Sequence, residues 1–357
     1  MAGEGITDPS RVGQINGAGG TNELFLKKFA GEILTTFETN NIFKGLHTVR
    51  TIENGKSAQF PVTGIATANY HTPGENIAEE GGSSSKYLSD PNKNQKVITI
   101  DDVLLASTFL ASIDDVKNHY DIRSVYSSEL GRALSKRFDQ AVAKVFIGAA
   151  RLATPGVTGG AVGAQVDVPN NDLSAPGSAG TPAAVTGAQL IASLFTAAAK
   201  LDDNDVPSDG RFCVLRPTEY YQLITGGSGA VVISTSGANK DVGGSGSLAS
   251  GTIPQVAGID IYKSTNIPST NMASSGGTSS GDEGASNDIF TAGDGYDGDF
   301  RNTLGIVAHP SAVGTVKLLD LATESEYQIE RQGTLFVAKY AMGHGILRGE
   351  CALELVA

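Results

Sequence analysis

Cysteine, tryptophan and long apolar runs are what this chain lacks. Its 357 residues hold two cysteines and no tryptophan. Cys213 and Cys351 each sit alone in an apolar segment, RFCVL and ECALELV. Isolated thiols in such surroundings act as small buried hydrophobes, and no CxxC or Cys/His spacing points to a metal. No stretch approaches the roughly 20 apolar residues that span a bilayer, so no membrane association is expected. MAGEGITDPS at the N-terminus has no basic start followed by an apolar run, so no secretory signal is expected. Positive charge is also short, with 26 Lys plus Arg against 38 Asp plus Glu and a formal net charge of -12. That balance argues against a protein that clamps nucleic acid through its phosphates.

What is present suffices for a folded chain. Hydrophobic residues make up 40% and charged residues 18%, enough for two or three lobes around real cores. Residues 1–20 are rich in Gly, Asn and Ser and read as a mobile arm. Thr21 then caps an expected helix over Asn22–Glu38, striped by Phe25, Phe29, Ile33 and Phe37. A strand-like pattern runs from Thr51 to Val62. Its Pro61 cannot donate to a ladder, which confines it to an edge or bend. Residues 64–95 are polar and turn-rich, and a strand resumes at Lys96–Asp102. Two strands joined by so long an excursion predict a protruding hairpin.

The strongest periodicity follows. Ile122, Tyr126, Leu130, Leu134, Phe138, Val142 and Phe146 fall at i+4 steps, with Arg123, Ser127, Glu129, Lys136, Arg137 and Lys144 between them. This predicts one long amphipathic helix over Asp121–Ala150. Residues 153–187 read as a Gly/Pro/Ala linker at a lobe boundary. Beyond it elements alternate. A helix is expected over Ala188–Leu201, a strand at Arg211–Leu215, and a helix with Pro217 at its first position. Strands are expected at Gly258–Ser264 and Leu304–His309, separated by polar loops at 226–251 and 269–302. Tyr327–Ala357 supplies further strands, including TLFVAKY and CALELV. The pattern is that of an α/β lobe.

Chemistry-bearing motifs are weak. NGAGGT (Asn16–Thr21) lacks the Gly-Lys-Ser/Thr ending and a preceding strand, both of which a phosphate cradle needs. His47, His71, His119, His309 and His344 are scattered singly, with no HExxH. No GxSxG elbow occurs. The acidic run Asp294–Asp299 lacks the full calcium-loop pattern. In MGHGILRG (Met342–Gly349) the glycines suit tight turns, and Arg348 suits a structural ion pair. No catalytic, cofactor or metal residues are assigned.

Seven segments, in order, carry a family resemblance. They are LFLKKFAGEILTTF (Leu24–Phe37), GKSAQFPVTG (Gly55–Gly64), PGENI (Pro73–Ile77), KVITIDD (Lys96–Asp102), NHYDIRSVYSSELGRAL (Asn118–Leu134), HPSAVGTVKLLDLA (His309–Ala322) and AKYAMGHGILR (Ala338–Arg348). The chain resembles the major capsid proteins of short-tailed coliphages of the T-odd type and their cyanophage relatives; residues 150–300 match weakly. The resemblance implies an α+β Hong Kong 97-like capsid fold. Its parts would be an N-terminal arm (1–50), an extended loop (51–98), a peripheral domain (99–180 and 322–346, with spine helix 121–150) and an axial domain (181–321 and 347–357).

By the same resemblance, hexamers and pentamers close an icosahedral shell around packaged double-stranded DNA. A scaffold-dependent procapsid forms first in the host cytoplasm and expands into the virion capsid. Scaffolding protein, portal and decoration proteins are the implied partners, and no catalysis is implied. The Lys–Asn cross-link of some members of the wider fold is not general in this family, although Lys86, Lys93 and Lys96 lie in the corresponding region. An encapsulin-like shell and an acidic cytosolic enzyme are the alternative readings.

The charge balance generates one prediction. A gel-shift titration of unassembled subunits at about 50 mM salt, which exaggerates surface electrostatics, should show little binding to double-stranded DNA. Micromolar, strongly salt-sensitive binding would contradict it.

Overall fold

The computed structural model describes residues 41–63, 66, 68–74, 77, 93–111, 122–155, 160–174, 185–225, 255–270, 296 and 298–357. The expected helix at Asn22–Glu38, the loop 226–251 and most of 269–302 lie outside these residues. The described chain forms two units. One contains Asp102–Phe138 and Leu319–Ala341; the other contains Ile42–Asp101, Asp139–Leu318 and Met342–Ala357.

The long periodic segment is a single helix, α1 (Ile122–Ala150), about 43 Å long at 1.5 Å per residue. Leu134, Phe138, Val142 and Phe146 of the expected stripe are buried. The C-terminal half departs from the expectation of one polar face: Ala141–Ile147 are all buried, with Asp139 and Lys144 among the buried residues. A helix covered on every side is a core element rather than a surface one.

In the first unit, β4 (Leu104–Ala111) pairs antiparallel with β12 (Gly333–Ile346), in register from Gly333↔Ala111 to Tyr340↔Leu104. Phe138 of α1 meets Tyr340 edge-on at 6.5 Å between centroids. One sheet face therefore packs on the helix. Gln332, in the left-handed region at φ 50°, turns the chain into β12 after β11 (Val313–Gln328).

In the second unit, β1 (Thr48–Thr51) runs parallel to the start of β11. Seven further strands make one mixed sheet in the order β6-β5-β13-β10-β7-β9-β8. They are β5 (Ala164–Asp167), β6 (Asp172–Ser174), β7 (Phe212–Leu215), β8 (Gln255–Val256), β9 (Ile259–Lys263), β10 (Thr303–Ala308) and β13 (Ala352–Val356). The central strands β13, β10 and β7 are buried at every position, as expected of a sheet covered on both faces. Cys351 and Cys213 are both buried and free, and burial pushes both thiols above their ordinary value.

Here the reading of 153–187 as a linker is corrected. Residues 164–174 form β5 and β6, and β5 pairs in parallel with the C-terminal strand β13. Strands of four and three residues carry too little periodicity to separate them from a Gly-rich connection.

Helix α2 (Gly187–Asp203) begins with a capping box, in which Thr186 and Gln189 satisfy each other's backbone N–H groups. It ends at Asp205, φ 53°, with Val206 N–H bonded to the Leu201 carbonyl and Asp205 N–H to that of Asp202. That is a Schellman stop, closed by the buried pair Leu201 and Val206. Helix α3 (Pro217–Thr225) starts on its proline as expected. An aromatic chain, Phe43–Phe146–Phe212, ties Phe43 to α1 and β7, with centroids 6.1 and 5.5 Å apart.

Within this core sits the fully buried carboxylate of Glu354. Glu354 of β13 accepts from Arg151 at 2.7 Å (Nε) and 2.6 Å (Nη2), from Gln165 Nε2 at 2.7 Å, and from Thr303 Oγ1 at 2.6 Å. Arg151 also donates to the Asp299 carbonyl at 2.7 Å and lies over the Phe300 ring. Removing one member of a buried pair strands the other charge. Arg151→Ala should therefore lower unfolding stability by about 3–5 kcal/mol in denaturant titration. Arg301→Ala, which breaks a more exposed pair with Asp299, should leave the midpoint nearly unchanged. Equal midpoints for the two variants would contradict this account.

Candidate assembly surfaces

The expected hairpin is present. β2 (Ser57–Thr63) and β3 (Lys93–Thr99) pair antiparallel from Ser57↔Thr99 to Thr63↔Lys93, with Pro61 opposite Gln95. The strand expected to run unbroken from Thr51 is instead two, because β1 ends at Thr51 before β2 begins. A two-stranded ribbon has only edges, which suits the missing donor of Pro61.

Its root is fixed. Ala58, Ile98 and Val316 are buried together, with Ile52, Phe60, Ile100 and Leu347 packed against them. Farther out the chain is uncovered: Tyr70 is wholly exposed and Ile77 is 56% exposed. Large apolar side chains left bare beyond the ribbon suit a surface for another chain.

The MGHGILRG motif finds its role at this root, and it differs from the expected one. Gly343 and Gly345 lie within strand β12 and not in turns. A Cβ on Gly343 would collide with the Thr99 carbonyl and the Ile100 backbone, and one on Gly345 would come within 2.8 Å of Ile98. The glycines make room for the hairpin base. Arg348, expected to form an ion pair, is exposed and has no such partner among the described residues. It lines an open cleft of about 400 Å³ with Pro61, Val62, Val206 and His309.

Histidines read as scattered come together in space. His47 Nδ1 is 2.6 Å from the Phe43 carbonyl, and His344 Nδ1 is 2.8 Å from Thr315 Oγ1. The Tyr296 hydroxyl lies 3.1 Å from Asp101 Oδ2 and from the His344 carbonyl, and accepts the His344 N–H. Desolvation holds His344 down to about 3, with the nearby His47 adding to the effect; burial also lowers His47. These are neutral core imidazoles. No group of His, Cys, Asp or Glu able to hold a metal occurs among the described residues. Of the acidic run at 294–299, Asp294 and Asp297 lie outside those residues, and Asp299 is ion-paired with Arg301 at 2.6 Å. No described helix is long and apolar enough to cross a membrane.

The spacing that hid the histidines also hid Asp139. This α1 carboxylate is fully buried. Its Oδ2 accepts from Asn266 Nδ2 at 3.0 Å and from the Ile42 N–H at 3.2 Å. Its Oδ1 and the Asn266 Oδ1 have no hydrogen-bond partner among the described residues. Desolvation, only partly offset by these bonds, raises the carboxyl to about 6.

The β2–β3 ribbon is held at its root, with exposed apolar residues beyond it; comparison with known proteins gives the class. The fold matches phage capsid subunits. The capsid structure of the cyanophage P-SCSP1u superposes with a TM-score of 0.72 and 38% identity, covering 98% of both chains. The mature capsid of bacteriophage PhiM1 shares the fold, with a TM-score of 0.65 at 17% identity over 90% of this chain and 88% of that one. The profile of the Gp10A-like major capsid protein family matches residues 59–356, and the chain belongs to that family. The major capsid protein of Escherichia phage T7 is 34% identical over 95% of this chain and 93% of its own length. That of Enterobacteria phage T3 is 33% identical over 93% and 91%.

The two buried groups titrate in opposite senses. Asp139, raised when folded, contributes stability that is fully present below its unfolded value of 3.8 and is lost as pH rises through about 6. His344, lowered when folded, contributes stability present above 6.5 that drains away as pH falls toward 3. Asp139→Asn keeps an acceptor for Ile42 and Asn266 and places an NH2 where Oδ1 stood. Relative to the unsubstituted chain it should gain about 2–3 kcal/mol between pH 4 and pH 8, from roughly two pKa units at about 1.36 kcal/mol each. Denaturant titrations at both pH values check this, and a pH-independent difference would contradict it.

Proposed function

We propose that this chain assembles as hexamers and pentamers into the icosahedral shell of a tailed phage, enclosing packaged double-stranded DNA without gripping it. The reading takes the fold as Hong Kong 97-like. Residues 1–50 serve as the arm and 51–98 as the extended loop. Residues 99–180 with 322–346 form the peripheral domain around α1, and 181–321 with 347–357 form the axial domain. The subunit is structural and carries out no catalysis, and it uses no cofactor. Assembly takes place in the host cytoplasm with a scaffolding protein and a portal, and decoration proteins are further partners. The procapsid expands into the virion capsid, with arm and loop hinging while α1 stays stiff.

The observation that carries this reading is the β2–β3 ribbon, buried at its root and bare beyond it. A long loop with exposed apolar residues makes sense when another subunit covers it. Many such contacts, each of the ordinary 1,200–2,000 Å² class, hold a shell together although each is modest. The net charge of -12 suits an inner wall along which DNA slides.

Deleting residues 70–92 should leave a soluble subunit that closes no shells. Negative-stain micrographs and sedimentation of the expressed protein read the outcome. Normal particles from the deletion would overturn the role given to the loop.

A further inference from the structure

The connection between β1 and β2 is pinned at both ends and bare in the middle. The Ile52 N–H bonds to the Lys317 carbonyl at 2.9 Å, and the Ile100 N–H to the Lys56 carbonyl at 2.8 Å. Glu53, Asn54 and Gly55, between these two anchors, are exposed. Neither Asn54 nor Gly55 makes a hydrogen bond among the described residues. Gly55 has φ 118°, and a Cβ there would meet nothing nearer than the Ser57 carbonyl, at 4.0 Å.

An asparagine carries a latent reaction with the backbone nitrogen that follows it, because closing that nitrogen onto Cγ makes a five-membered ring. Three things ordinarily prevent closure: a hydrogen bond that holds the amide proton, a side chain that blocks the approach, and a backbone confined by sterics. All three are missing at Gly55, which has no Cβ, no bond to its N–H and the wide φ/ψ freedom of glycine. Its surroundings are open on the side a side chain would occupy.

We propose that Asn54 and Gly55 form a self-modifying site, at which the folded subunit converts the Asn54 side-chain amide to a carboxylate through a cyclic imide. Solvent hydroxide takes the Gly55 amide proton, and the nitrogen attacks Asn54 Cγ. The N–Cγ bond forms, the Cγ–Nδ2 bond breaks, and ammonia leaves with a proton returned by water. Water then adds to one of the two ring carbonyls. Opening at Cγ leaves aspartate; opening at the original peptide carbonyl leaves isoaspartate, with the main chain rerouted through Cβ and Cγ. Nothing is oxidised or reduced. Either product adds a negative charge beside Glu53 to a chain already at -12. The isoaspartyl form also lengthens a connection with fixed ends by one carbon, about 1.5 Å. That extra length falls at the base of the hairpin, where Ile52 packs on Ala58, Ile98 and Val316. The change runs one way and records the age of the chain.

Peptide mapping of the full-length protein tests this. Trypsin cuts after Arg50 and Lys56, so Thr51–Lys56 is released alone and Asn16–Gly17 falls in another peptide. Folded protein is held for days in mildly alkaline buffer made with heavy-oxygen water, beside a sample unfolded in urea. In the folded sample Thr51–Lys56 should give two products that carry heavy oxygen. The isoaspartyl form should be in excess and accept a methyl group from an isoaspartate methyltransferase. Conversion should run at least about ten-fold ahead of that at the exposed Asn170 and Asn171, neither of which precedes glycine. Asn54→Gln, whose ring would be one atom larger, should abolish it. An intact peptide in the folded sample overturns the proposal, even where the urea sample converts. Aspartate without isoaspartate also overturns it, because direct hydrolysis needs no ring.

Discussion

A carboxylate with no access to water holds the larger unit together. Glu354 is tolerable at 0% exposure because four donors from three other places in the chain converge on its two oxygens. Arg151 comes from the end of α1, Gln165 from β5 and Thr303 from β10. An apolar contact among these elements would accept small slips in register. A fully bonded buried charge does not, because any displacement leaves an ion unsolvated. The network fixes where the helix ends, which strand flanks β13, and where the loop carrying Asp299 and Phe300 must pass.

The hairpin depends on a different constraint, that of space. Ile98 and Ile100 reach the body of the unit only because β12 has no Cβ at 343 and 345. Those glycines alternate with buried His344, whose side chain points to the other side of the strand. One short sequence thus serves two faces, giving clearance on one and a neutral, bonded imidazole on the other.

Long periodic elements were legible in the sequence. The i+4 run from Ile122 to Phe146 fixes α1 to within a residue, Pro217 fixes the start of α3, and Pro61 with the polar excursion fixes the hairpin. What was hidden is of two kinds. β5 and β6 are too short for periodicity and gain their identity from partners distant in sequence. The burial of Lys144 and Asp139 and the meeting of His47 with His344 depend on tertiary contacts that spacing does not encode. Arg348 went the other way, since an exposed cleft position leaves a charge to water where a structural ion pair was expected. The assembly role came through the ordered family segments and not from any motif of reacting groups.

The β2–β3 ribbon has a consequence for how faithfully a shell grows. A lone two-stranded hairpin is marginally stable in water, so only its root, at Ala58 and Ile98, is held by the subunit's own core. In the proposed shell, settling the outer ribbon onto a neighbour would cost conformational entropy at the moment of contact, which would subtract from the strength of that contact. A misplaced subunit, gripping with few of its surfaces, leaves quickly; a correctly placed one, gripping with all of them, stays. In that assembly the ribbon's own weakness would act as a proofreading device, set by the length of chain beyond the root.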